Sequence, residues 1–354
     1  MSLLLLWELI SQHKTVIMCL GFTGASLVFL RRWFAGGRAA IEAAPQRSRR
    51  LVLITGASSG IGLAAAREIV RLRLARVCIA CRRPELGAIV AADIRRELGA
   101  DETDIFAAEE PLDLASLACV RRFAEAFCRR HRRLHVLLNN AGIMACPEAL
   151  TEDGFESQLA VNHLGHFLLT RLLLGPLRRA NGARVVTVSS KAHEWGSICW
   201  DNLNLSGGKY TPFKAYSQSK LANVLFTRAL ASKFEARGDD VTAYCLHPGA
   251  VQTNLGRYQP AYFLAVFSAV SWLMLKRPVE GAQTSLHCAF APIERLQNGG
   301  YYSDCQLTKP SKRAQSDSDA ARLWLISEKL VGLEPDSFDT DDCVSEAIGD
   351  DCDY

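Results

Sequence analysis

The chain has 354 residues, 49% of them hydrophobic and 22% charged, with a formal net charge of +4. That size and balance suit one large α/β domain with appendages and exclude a minimal disulfide-stapled domain, since the twelve cysteines show no compact spacing. Basic residues are scattered without aromatic interleaving, which gives nucleic-acid binding little support.

In chain order, the first element is an apolar run, Thr15–Leu30, free of charge and followed at once by Arg31 and Arg32. As a helix it spans about 24 Å, short of a roughly 30 Å hydrocarbon core, and extension upstream to Ile10 supplies the rest if Lys14 snorkels. Residues 31–50 carry six arginines against Glu42 alone. The positive-inside bias then places the remaining chain in the cytosol, anchored at a membrane such as the endoplasmic reticulum. A cleaved signal peptide fits less well, because the basic cluster follows the apolar run.

From Leu51 onward, short apolar runs alternate with helical ones. LVLIT, ARVCIAC, DIFAAEEPLDL, LHVLLNNAG, ARVVTVSS and VTAYCLHPG read as strands. Between them lie helical patterns: IGLAAAREIVRLRL, PELGAIVAADIRREL, SLACVRRFAEAFCRRH, a long stretch from Phe155 to Leu177, and KAYSQSKLANVLFTRALASKF. This order predicts a doubly wound parallel α/β sheet, a Rossmann fold, in one domain over residues 48–332. Residues 1–47 would be anchor and basic linker. Residues 333–354 would be a solvated, disordered tail, since residues 334–354 hold nine acids and no base and leave +13 on the rest. Cys78 and Cys81, three apart in a strand, should point to opposite faces and stay reduced.

TGASSGIG, residues 55–62, lies between the first strand and first helix. Gly56, Gly60 and Gly62, with Ser58, Ser59 and Ile61 among them, fit a turn whose backbone meets a pyrophosphate at a helix N-terminus. A glycine-rich turn that merely ends a strand is the plainer alternative. The second strand ends Cys81-Arg82-Arg83 with no acid, and a guanidinium such as that of Arg82 suits the 2′-phosphate of NADP(H). Asp113 and Leu114 are placed to border the adenine, and Asn140, Ala141 and Gly142 to lie close to the nucleotide.

Tyr216 and Lys220, at i and i+4 on a helix, share one face. An ammonium beside a phenol, together with an oxidised nicotinamide, would lower the phenol's pKa and fit it to exchange a proton with an alcohol or carbonyl. Ser190 would hold the substrate oxygen, and Asn162 a water linking Lys220 to solvent. Each has a commoner role in packing, capping or solvation; their combination behind a phosphate cradle favours chemistry.

T-G-x-x-x-G-x-G at 55–62, N-N-A-G at 139–142, V-N at 161–162, S-S at 189–190, Y-x-x-x-K at 216–220 and P-G at 248–249 together resemble the short-chain dehydrogenase/reductase superfamily, over about residues 48–310. The resemblance implies a catalytic tetrad of Asn162, Ser190, Tyr216 and Lys220. It also implies cofactor contacts at Tyr216, Lys220, Pro248, Gly249 and Thr253. IACR, VNHLGHFLLT, YSQSKLANVLFTRAL and HPGAVQTNL look most like its retinol dehydrogenase branch. That likeness implies NADP(H) and a lipophilic alcohol/carbonyl pair, retinol and retinal first, with steroids or other lipid carbonyls as alternatives. A homodimer is compatible, and a non-catalytic dinucleotide-binding scaffold is the rival reading. Residues 261–275, apolar throughout, read as a core helix, a substrate lid or a shallow membrane contact. His163 and His166 have zinc-like spacing but lack a third ligand. Asn204-Leu205-Ser206 is a glycosylation sequon, usable only in a lumenal domain.

Overall fold

The structure, a computed structural model, describes residues 26, 29–41, 50–253, 255, 275–334 and 338. Its strands are β1 (Leu51–Thr55), β2 (Arg76–Ala80), β3 (Ile105–Ala107), β4 (Val136–Asn139), β5 (Ala183–Val188), β6 (Val241–His247), β7 (Tyr301–Ser303) and β8 (Gln306–Leu307). Its helices are α1 (Gly60–Arg71), α2 (Pro84–Leu98), α3 (Leu117–Arg130), α4 (Gly165–Leu172), α5 (Leu174–Arg178), α6 (Pro212–Arg237), α7 (Pro278–Phe290) and α8 (Asp317–Leu330). One sheet runs β3-β2-β1-β4-β5-β6-β7-β8. It is parallel through β7, with β8 antiparallel.

The strands are apolar at nearly every position because helices cover both faces. Leu53, Leu137, Val185 and Ala243 point to one side, against α3, α4, α6 and α8. Their neighbours Val52, Leu138, Val186 and Tyr244 point to the other, against α1, α2 and α7. Cys78 lies in the first core and Cys81 in the second, so the two thiols face apart as their spacing required. Cys128, alone among the described cysteines, is disulfide-bonded, a departure from uniformly reduced thiols.

The chain builds β2 and β3 outward from β1, then crosses back to place β4 on β1's other side. Such a reversal opens a crevice at the carboxyl ends of the two strands. The expected helix from Phe155 to Leu177 is broken. It starts as a turn at Ser157–Leu159, widens to a π-helical segment at Ala160–Leu164, continues as α4, and restarts as α5 after Leu173. Pro176, with no N–H to donate, explains the restart.

Part of the expected tail is ordered. Phe338 is 4% exposed and packs on Phe234 and Trp324, each 5.6 Å between ring centroids. Its carbonyl accepts from Arg178 Nη2 at 2.7 Å. The anchor expected at about residues 10–30 lies outside the described residues except Ser26, Phe29 and Leu30, and no described helix is long and apolar enough to cross a membrane. Residues 261–275 likewise lie outside them, save Leu275.

Candidate active site

At the end of β1 the chain turns through Gly56 (φ +67°) and Gly60 (φ +59°), left-handed geometry that glycine adopts freely. A Cβ on Gly62 would stand 2.5 Å from Asn140 Nδ2 and 2.8 Å from the Gly56 carbonyl oxygen. One on Gly56 would stand 2.9 Å from Ala141 Cα. The glycine turn and the Asn140–Gly142 turn therefore touch backbone to backbone, and both motifs serve one wall.

Thr55 joins them. Its hydroxyl oxygen accepts from the N–H groups of Asn140 (2.9 Å) and Ala141 (3.0 Å), and lies 2.9 Å from His166 Nε2. His166 Nδ1 faces the Asn162 carbonyl at 3.2 Å. A carbonyl only accepts, so Nδ1 carries the ring proton and Nε2 takes Thr55's. Burial pushes His166 down to about 4, which keeps it neutral. Its role is to brace β1. His163 bonds Ser327 at 2.9 Å and is pushed by burial down to about 3; among the described residues no cluster could hold a metal ion.

The other wall comes from β5 and α6. Every residue of α6 from Ala215 to Thr227 is buried, so its polar side chains must find partners inside. Lys220 Nζ donates to the Val188 carbonyl at 3.1 Å and lies 5.6 Å from the Tyr216 ring centroid. Ser189 Oγ donates to the Lys220 carbonyl at 2.7 Å, tying the end of β5 to the helix. Ser190 caps the short turn Lys191–Trp195, its hydroxyl accepting from Ala192 N–H at 3.2 Å, and borders the same cavity as the Tyr216 phenol. Asn162 accepts from Ile143 N–H (2.9 Å) and donates to the Ile143 carbonyl (3.0 Å) and Ser219 Oγ (2.9 Å). Its Oδ1 and Lys220 Nζ border the same bare side of Gly142, 3.1 and 3.6 Å from where a Cβ would stand.

The lowered phenol pKa is expected with an oxidised nicotinamide beside it; the pocket's own residues set the starting values. Burial pushes Tyr216 up to about 12, opposed by the Ser190 hydroxyl. Burial also pulls Lys220 down to about 8. Desolvation, the largest cause in each, disfavours both charged forms.

A cavity of about 540 Å³ opens between the walls. It is bordered by Gly56, Ser58, Ser59, Gly60, Ile61, Arg82, Asp113, Leu114, Asn140, Ala141, Gly142, Ser190, Tyr216, Lys220, Pro248, Gly249 and Thr253. Gly62 and Asn162 stand one layer behind. Asp113 lies beyond the end of β3, in the loop toward α3, where its carboxylate accepts from Ala115 N–H at 3.0 Å. Sequence reasoning passed over Cys81, Ile143, His247 and Val251, which also line the cavity. Their signal was position: each follows or ends a strand on the ligand-binding edge.

The sequence matches the short chain dehydrogenase family over residues 50–261. The chain belongs to that family. Within it, this dehydrogenase is retinol dehydrogenase-like. It is 47% identical to "Retinol dehydrogenase 14" of Mus musculus, over 80% of this chain and 86% of that protein. It is 44% identical to "Retinol dehydrogenase 12" of Bos taurus, over 90% and 99%. Among solved structures it resembles the "RhlG/NADP active-site complex" of Pseudomonas aeruginosa, with 28% identity, TM-score 0.56, and coverage of 71% of this chain and 93% of that one. The short-chain dehydrogenase fold thus joins a cavity at the sheet's switch point to an oxidoreductase family.

Proposed function

We propose that this oxidoreductase uses NADP(H) to interconvert a lipophilic alcohol and its aldehyde or ketone, retinol and retinal first among them, with Tyr216 as general acid/base. The observation that carries the reading is the grouping of half-buried Ser190 with buried Tyr216 and Lys220 in the same cavity as the glycine turn. The residues present fit a dinucleotide. The glycine turn opens onto the cavity at Gly56, Ser58, Ser59 and Gly60, α1 behind it has no acid in its first turn, and Arg82 borders the same cavity. Arg82 supports NADP(H), as does the NADP complex of the Pseudomonas relative.

Bound there, the cofactor would supply or accept the hydride. The rest is the work of this chain. Ser190 and Tyr216 hold the substrate oxygen between two hydroxyls. A phenol raised to about 12 is protonated at neutral pH, ready to donate to a carbonyl, and this favours reduction. Lys220, still charged below about 8, stabilises the phenolate left behind. Asn162 holds the Gly142–Ile143 backbone against Lys220 and leaves a lone pair toward it.

A membrane anchor over residues 10–30, with the domain facing the cytosol, belongs to the same proposal. Phe29 at its end and Trp33 just after it, 66% and 73% exposed, support a surface next to lipid. The Asn204 side chain of the sequon is tied into the fold, its amide oxygen accepting from Glu156 N–H and its amide nitrogen donating to the Gly154 carbonyl, each at 2.9 Å. Assembly as a homodimer is the accompanying expectation. The test is assay of the full-length chain with NADPH or NADH against retinal, steroid ketones and fatty aldehydes. NADPH-dependent reduction of a lipophilic carbonyl is expected; inactivity across the panel would favour a cofactor-binding scaffold.

A further inference from the structure

The geometry points to Lys276 as a positioning residue through which the N-terminal segment, residues 31–39, holds one wall of the cofactor cavity. This rests on the reading of that cavity as an NADP(H) site. Lys276 is 5% exposed, and its ammonium pairs with Asp304. Its stem lies under Gly249, where an added Cβ would come within 2.7 Å of Cδ and Cε. Gly249 has φ +93° and borders the cavity, so the lysine stem occupies the space a side chain there would need. The backbone of Lys276 is stitched to the same loop: its N–H donates to the Ala250 carbonyl at 2.8 Å, and its carbonyl accepts from Gln252 N–H at 2.9 Å. Main chain and side chain of one residue thus fix Gly249 to Gln252.

The other side of the ion pair is covered by the N-terminal segment. A Cβ on Gly36 would collide with both Asp304 Oδ1 and Lys276 Nζ, and one on Gly37 with the Asp304 carbonyl. Gly36 has φ +74° and lies flat on the pair. Two further ties hold the segment in place. Arg31 Nη2 bonds Glu280 Oε2 at 2.6 Å, with side chains 19% and 13% exposed, and Ala39 N–H donates to Gln283 Oε1 at 3.1 Å. Asp304 stands in the tight β7–β8 turn with φ +52°, so its carboxylate is held by the turn, not by a mobile loop. The Asp304 side chain is still 52% exposed, so the segment strengthens the pair only by keeping water from the side of Lys276 that it covers. The segment therefore stiffens Lys276, and Lys276 stiffens the loop at the cavity. Residues leading toward the proposed anchor and the cofactor wall form one mechanical unit.

Full-length Gly36→Val, Lys276→Met and the double variant test this, with NADPH Kd read from the fluorescence of bound NADPH and Tm read alongside. Each single variant should raise Kd about five- to twentyfold, and the double variant no further than Lys276→Met alone, because both act through one contact. The milder Arg31→Met should raise Kd about twofold, which keeps the test open if Gly36→Val does not fold. Kd within twofold of wild type in Lys276→Met, or single effects that multiply in the double variant, would overturn the coupling. Failure of the wild type to bind NADPH would overturn the site reading itself, a distinct result.

Discussion

Replacing Thr55 by valine removes one oxygen and keeps the shape. In the native structure that oxygen accepts from Asn140 and Ala141 and engages His166. Asn140 N–H has a second acceptor, the Leu138 carbonyl at 3.0 Å, so it is not orphaned. Ala141 N–H and His166 Nε2 are. An unsatisfied buried group costs about 1–3 kcal/mol, which bounds the loss at about 2–6 kcal/mol. Ala141 borders the cavity and can turn toward water, so the lower end, about 2–3 kcal/mol, is expected. For a domain of this class that is a fall in Tm of roughly 5–10 °C. NADPH Kd should also rise, because the Asn140–Gly142 turn loses its tether to β1. Thermal unfolding and NADPH titration of Thr55→Val, with Thr55→Ser as the control that keeps the hydroxyl, decide it. A valine variant within about 0.5 kcal/mol of wild type, or a serine variant equally damaged, would refute the bracing role.

Three further outcomes follow from the site and the fold. With Lys220 pulled down to about 8, its charge is lost as pH rises through that value; carbonyl reduction should be level below pH 8 and fall about tenfold per unit above it, and Lys220→Arg should move the fall upward in a kcat–pH profile. Arg82→Ala should lower kcat/KM for NADPH roughly 10- to 100-fold, the worth of a charged hydrogen bond, while NADH kinetics stay nearly unchanged. Phe338→Ala should cost about 3–5 kcal/mol in urea unfolding, the cost of a buried phenylalanine, whereas a free tail would give no change.

The parallel sheet was legible because apolar runs and helical patterns alternate without ambiguity from Leu51 to Gly249. The cavity was legible because its residues sit at the ends of those runs. What lay past residue 275 was not. The β7–β8 turn uses Asp304 and Cys305 at positive φ, where glycine or asparagine would have announced a hairpin. α8 does carry a readable start, Ser316 accepting from Asp319 N–H at 3.1 Å, but no helix was expected there from the sequence. Phe338 is a single aromatic among acids, and only the tertiary box of Phe234 and Trp324 makes it core. The depth of burial of Tyr216 and Lys220 was hidden for a similar reason: the sequence places an ammonium near a phenol, but only packing shows how far both groups are removed from water.

The most direct measurement is a comparison of wild type and Tyr216→Phe in NADPH binding and in single-turnover reduction of retinal. The account predicts an NADPH Kd within about threefold of wild type and a rate lowered by about 10²- to 10⁴-fold, the range for loss of a general acid. A phenylalanine variant that reduces retinal at more than about a tenth of the wild-type rate would contradict it.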